Sequence, residues 1–331
     1  MNAVVFFVVF LLFILAGPAA AQNDSLGRTN LEQEDALVYS SYWQQKVYAE
    51  RCFKACPPLA PRLYDALSDF KGQFGPSVEA VERLVAKPGE TPEQTQARFR
   101  SKWEKDADTL NFSCAPCNNT LSIIQARAKG LANSPLREAL LRNHPEFAKR
   151  PDRMMAKGFV KQLVHTDPLS GLELILDYPA TWKETPAPAG ASAVYSDNGH
   201  GFERLLLFTA PHPDLMEKNI DNETSLRVLD EAVDELMDER WCGESKGCQA
   251  GKMQMDGRPA RWFVQKREKP GVYLMQTLWV YTVIGNRLAA LQMDVRSATP
   301  SETPASVEQR FSRYMPAFLR MAESMRVVKT Q

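Results

Sequence analysis

VYLMQTLWVYTVIGNRLAALQMDV, residues 272–295, decides the fold of the C-terminal half. Val272 to Ile284 and Arg287 to Val295 are two runs of strand character, and only Gly285-Asn286 separates them. A two-residue, glycine-containing connection between such runs is the mark of an antiparallel hairpin. Outward from it, Leu172 to Pro179 reads as a strand halted by proline. Arg204 to Thr209 is an apolar run of strand length, and Trp262-Phe263-Val264 follows the turn signal Asp256-Gly257-Arg258-Pro259. Leu226 to Trp241 and Ser306 to Met325 have helical spacing, the second with an apolar stripe through Phe311, Tyr314, Met315, Phe318 and Met325. Hairpins grouped around two helices, without βαβ units, predict an antiparallel α+β domain over residues 158–331.

The preceding residues, 22–157, follow a different period. Leu37, Tyr39, Tyr42, Trp43, Val47 and Tyr48 recur at helical spacing, and Cys52 and Cys56 continue that register on one helix face. Pro57-Pro58 ends or bends that helix. Further helices are predicted over Pro76 to Val85, from a Thr91 cap and Pro92 to about Leu110, over Thr120 to Leu131, and from Ser134. This half reads as an all-α unit of about four to six helices.

Four stretches of the C-terminal half resemble the PsbP/Mog1 fold. They are LELILDYPATW (Leu172–Trp182), MDGRPARWFV (Met255–Val264), YTVIGNRLAAL (Tyr281–Leu291) and FLRMAESMRV (Phe318–Val327). The resemblance covers about Lys161 to Val328 and implies a central antiparallel sheet with helices on both sides. Members of that fold include extrinsic photosystem II subunits, a Ran-binding nuclear factor and bacterial exported proteins of unknown role. No functional residue transfers from such a range, because fold does not imply function.

The N-terminus bears on compartment. Ala3 to Ala16 is an almost unbroken apolar run, Gly17-Pro18 breaks it, and Ala19-Ala20-Ala21 supplies small residues where a signal peptidase cuts. Residues 1–21 are thus expected to be a cleaved signal, although the n-region lacks Lys or Arg and an uncleaved anchor is the alternative. The expected address is exported, periplasmic or secreted. In that oxidising setting Cys52, Cys56, Cys114, Cys117, Cys242 and Cys248 are expected to form structural disulfides, the first four among themselves with their pairing open. The 40 basic and 40 acidic side chains cancel, which argues against nucleic acid or an anionic lipid surface as partner.

Candidate chemistry is sparse. Cys114-Ala115-Pro116-Cys117 is a C-x-x-C that at a helix N-terminus would hold a reactive thiolate. It lacks the βαβ setting of redox folds, and Asn118 excludes haem attachment. With Cys52 and Cys56 it could instead ligate a metal. Of the four histidines (His144, His165, His200 and His212), His200 and His212 flank one predicted strand and could converge on a metal. Asp230, Glu231, Asp234, Glu235 and Asp238 read as a solvated helix face. Tyr39, Tyr42, Trp43 and Tyr48 read as a core face first and a partner-binding stripe second. The sequons at Asn111, Asn118 and Asn222 read as chance. No nucleophile elbow, H-E-x-x-H or phosphate loop is present. The expectation is no catalytic, cofactor or metal residue, and a non-enzymatic protein that binds another exported or envelope protein. The alternatives are thiol–disulfide or metal handling at Cys114 and Cys117, and a hydrolase with a dispersed site.

Overall fold

In the computed structural model Thr91 caps a helix as its chemistry requires. Its Oγ1 accepts from the Gln94 N–H at 3.3 Å, while Gln94 Oε1 accepts from the Thr91 N–H at 2.8 Å. Beside this cap Glu90 accepts from Lys87 N, Thr95 Oγ1 and Arg98, which hold its pKa down at about 2. The structure describes residues 24–132, 134–167, 171–185, 191–195, 203–211, 215, 221–237, 249–269, 273–299 and 301–329. These form two compact units that divide between Lys149 and Arg150.

In the N-terminal unit every regular element described is helical: α1 (Asp24–Ala55), α2 (Ala60–Val85), α3 (Pro92–Ala107), α4 (Cys114–Ala128), α5 (Ser134–Arg142) and α6 (Pro145–Lys149). A 3₁₀ turn, Pro57–Leu59, links α1 to α2. Two elements differ from the sequence reading. Pro76 does not open a helix but lies inside α2, because Phe70, Phe74, Val78 and Val81 keep one buried face continuous across it. The C-x-x-C does not precede its helix but forms its first turn, where Pro116 lacks only an N–H that the helix would leave unbonded.

The aromatic residues of α1 are core, the first of the two readings given to them. Tyr39 meets Phe99 edge-on with ring centres 4.8 Å apart, Tyr42 stacks on Phe70 at 6.4 Å, and Tyr48 meets Phe112 at 5.5 Å. Burial raises the Tyr39 pKa, as expected for a phenol out of water.

The second unit begins earlier than the sequence boundary of 157/158, since α7 (Pro151–Ala156) places Met155 in the same core as Leu174 and Leu176. Among the described residues the strands that follow are β1 (Val160–Thr166), β2 (Glu173–Pro179), β3 (Lys183–Thr185), β4 (Ala191–Tyr195), β5 (Glu203–Pro211), β6 (Ala250–Met255), β7 (Arg258–Lys269), β8 (Tyr273–Ile284), β9 (Arg287–Arg296) and β10 (Arg326–Lys329). Helix α8 (Asn222–Met237) precedes β6, and α9 (Pro304–Glu323) precedes β10.

All pairings among the described strands are antiparallel. The strands form a seven-stranded sheet, β3-β4-β5-β9-β8-β7-β6, and a three-stranded sheet, β1-β2-β10, which the sequence did not separate from the first. The predicted hairpin is β8–β9. Gly285 takes φ 59° and Asn286 does not enter the left-handed region, the pattern of a II′ turn. Asp256 (φ 51°) and Gly257 (φ 72°) both do, giving the I′ turn between β6 and β7. Side-chain alternation then sends Leu278, Leu291 and Met293 to one face of the large sheet, against Phe311, Tyr314 and Phe318 of α9. Phe263, Tyr281 and Val283 go to the other face, against Val228 and Leu229 of α8. The chain is therefore α+β, with helices on both faces of its main sheet.

Candidate functional site

Four cysteines of the helical unit come together across α1 and α4. Cys52 lies in the last turn of α1 and Cys56 just past its end, its N–H donating to Cys52 O at 2.9 Å, while spacing i, i+3 puts Cys114 and Cys117 on one face of α4. The helices run antiparallel here, so Cys52 bonds to Cys117 and Cys56 to Cys114. Each cysteine of the C-x-x-C is bonded to a cysteine at the C-terminal end of α1 and not to the other. Cys52 and Cys117 are 0% exposed and sit among Ala49, Leu63, Leu121 and Ile124. Cys114 lies in the exposed first turn of α4. Local bonds fix both ends: the Leu59 N–H donates to Cys56 O at 3.0 Å, the Cys117 N–H to Ser113 O at 3.0 Å, and Asn118 Nδ2 to Cys114 O at 3.1 Å.

This asymmetry has a measurable result. Thiol–disulfide exchange needs access to sulfur and a stabilised leaving thiolate, and only the Cys56–Cys114 bridge has a member at an exposed helix N-terminus. Under limiting reductant, Cys56 and Cys114 are expected to be alkylated before Cys52 and Cys117. Peptide mapping after timed trapping checks the order, and simultaneous opening of both bridges would refute it.

The remaining sequence candidates scatter. Cys242, Cys248, His200, His212 and Asp238 lie outside the described residues, as do the side chains of Asp234 and Glu235. His144 stacks on Phe147, ring centres 4.1 Å apart, in the helical unit. Asp230 pairs with Arg261 and Glu231 with Arg227 at 3.1 Å, so these carboxylates are engaged on or beside α8. Among the described residues no group of three or more His, Cys, Asp or Glu is placed to hold a metal.

Two polar clusters of the α+β unit escaped the sequence reading. On the α8 face of the sheet, Asp294 of β9 is 0% exposed. It accepts from Arg204 Nε at 2.6 Å, Thr277 Oγ1 at 2.9 Å and Gln292 Nε2 at 3.0 Å. Register brings them there, because Arg204 and Thr277 are both direct neighbours of Asp294 on β5 and β8. The alternation Gln292, Asp294, Arg296 was the one available signal. The second cluster joins the two sheets: buried Asp167, just after β1, pairs with Arg287 of β9 and accepts from Thr209 of β5. Nothing local in sequence links those three.

His165 stands beside this second cluster. Burial pushes its pKa below the ordinary 6.5, Asp167 draws it back up and Arg287 pushes it further down. The folded state therefore holds fewer protons than the unfolded one below pH 6.5, and stability must fall as pH drops through that window. Denaturation of the α+β unit between about pH 7 and about pH 5 is expected to show this loss, and a His165→Phe variant to show a shallower one. Equal slopes would remove His165 as its source.

No family model matches the chain, and no curated protein does. Solved structures are similar to about half of it. One is a 1.50 Å crystal structure from Bacteroides thetaiotaomicron VPI-5482, with 10% identity, 52% of this chain and 49% of that one covered, and a TM-score of 0.32. This chain thus aligns with about half the length of that protein. Another is cyanobacterial PsbP (CyanoP) from Synechocystis sp. PCC 6803, with 16% identity, coverages of 50% and 92%, and a TM-score of 0.31. A third is LpqN of Mycobacterium tuberculosis, described as involved in cell envelope biogenesis, with 15% identity, coverages of 53% and 98%, and a TM-score of 0.31. The PsbP likeness read from the sequence is met again here. At these scores it says nothing of what this chain binds or does.

Proposed function

We propose that the chain is a non-enzymatic binding protein of an oxidising compartment outside the cytosol. In this reading residues 1–21 are removed, the stapled helical domain runs to Lys149, the α+β domain begins at Arg150, and the partner is another exported or envelope protein. The observation that carries it is the cysteine pairing. A redox C-x-x-C cycles by closing a bond within the motif, whereas Cys114 bonds to Cys56 and Cys117 to Cys52. The same bonds occupy the sulfurs a metal would need. Buried carboxylates of the other unit are likewise engaged: Asp294 by Arg204, Asp167 by Arg287, and Glu203 by Arg310 at 2.7 Å. Cationic partners of this kind hold each carboxylate in place within the fold.

Intact mass of the protein recovered from its own compartment, alkylated before and after reduction, tests the compartment and thiol state. A chain starting at Gln22 with no thiol alkylated before reduction supports the reading. Alkylated Cys114 and Cys117, or a bond between them, overturns it in favour of thiol chemistry. Photo-crosslinking from exposed Tyr64 and Val164 tests the binding role. A discrete adduct that forms only on the exported chain is expected.

A further inference from the structure

The helical unit holds a cleft of about 670 Å³ between α2 and α4, lined by Ser68, Asp69, Gly72 and Gln73 on one side and Gln125 and Lys129 on the other. Ser68, Asp69, Gly72, Gln125 and Lys129 are solvent-exposed, so the space is an open, polar groove on the surface of the unit and not an enclosed pocket. Ala128 adds no bulk to the α4 wall. Among the described residues no hydrogen bond or ion pair takes up the polar side chains of this lining.

Gly72 is the informative residue. It lies inside a 26-residue helix, where glycine is among the least favourable residues. Its φ is not left-handed, and a Cβ there would meet nothing within 4 Å, so neither conformation nor packing demands glycine. Four residues on stands Pro76, which has no N–H to give the Gly72 carbonyl its usual helical partner. A bare Cα and a carbonyl short of its donor, on a cleft wall, suit a donor group that approaches the backbone closely. One turn back, on the same face, is the Asp69 carboxylate.

We propose that this cleft binds a small zwitterion, an amino acid or a short peptide. Its ammonium group lies against Asp69 and the Gly72 carbonyl, and its carboxylate lies toward Lys129. Gln73 and Gln125 are amides on opposite walls, able to donate to and accept from the peptide groups between. The inference rests on the binding-protein reading and deepens it.

The test uses the full chain with its disulfides intact, titrated by calorimetry with tetra-alanine, its N-acetylated and C-amidated forms, and free alanine. Saturable binding of tetra-alanine or of alanine is expected, and which of them binds tells peptide from amino acid. N-acetylation and Asp69→Asn are each expected to weaken binding by about tenfold or more, the worth of one charge-assisted hydrogen bond. Gly72→Leu should abolish binding while leaving the thermal midpoint unchanged or higher, since leucine favours helix and its Cβ would meet nothing within 4 Å. Lack of saturable binding by any probe, or equal affinity in the wild type and Gly72→Leu, overturns the proposal. If Gly72→Leu lowers the midpoint, unchanged affinity in both Asp69→Asn and Lys129→Gln overturns it instead. A chain with oxidised cysteines that binds no probe fails here alone and leaves the broader reading standing.

Discussion

Removing both disulfides of the helical unit is expected to cost more than the sum of removing each. The two bridges close loops of 65 and 58 residues, but they are neighbours on the same pair of helices. Whichever bridge is already in place has closed the long loop, at a worth of about 4 kcal/mol in the chain-entropy account. The other then closes only the small ring through residues 52–56 and 114–117, worth about 2–3 kcal/mol. Cys56→Ala/Cys114→Ala should therefore lower stability by about 2–3 kcal/mol. Cys52→Ala/Cys117→Ala should cost somewhat more, because both side chains are buried and leave a void. All four substitutions together should cost about 6–7 kcal/mol, comparable with the whole stability of a typical domain. Urea denaturation followed by far-ultraviolet circular dichroism reads the helical unit in each variant. Costs that simply add would mean that the bridges act as independent local contacts, and the shared-loop account would fail.

The cysteine faces were legible in the sequence and their pairing was not. Spacing alone fixes which thiols share a helix side, yet either pairing satisfies it, and only the antiparallel course of α1 and α4 selects Cys52 with Cys117. The same division holds elsewhere. Thr91-Pro92, Gly285-Asn286 and Asp256-Gly257 were readable because cap and turn chemistry is local. Strands β1 and β10 were not, since each is made a strand by pairing with β2: Val160 lies opposite Pro179, and Arg326 opposite Ile175. Pro76 misled because a proline at a helix start and one inside a helix look alike until the buried face on both sides is known. The cleft was unreadable for a related reason. Gly72 and Lys129 become neighbours of one space only when α2 and α4 pack.

Asp294→Ala is expected to destabilise the α+β unit by about 3–5 kcal/mol, the cost of breaking a buried ion pair by removing one partner. The carboxylate collects Arg204, Thr277 and Gln292, with Arg296 at 3.4 Å, so its loss strands one guanidinium and two neutral donors between the sheet and what covers it. The sign of a second experiment separates charge burial from shape. Replacing both members, Arg204→Met with Asp294→Leu, removes the stranded charge together with its acceptor. Stability should then recover much of the loss, because an apolar pair of similar volume avoids the desolvation cost. Hydrogen exchange of the β8 and β9 amides reports this unit without interference from the helical one. If Asp294→Ala changes their protection by less than about 1 kcal/mol, the network is already wet and its donors are satisfied by water. If instead the double variant is as unstable as the single one, the cluster holds the register of β5, β9 and β8 through its hydrogen bonds, and neutral side chains cannot replace it.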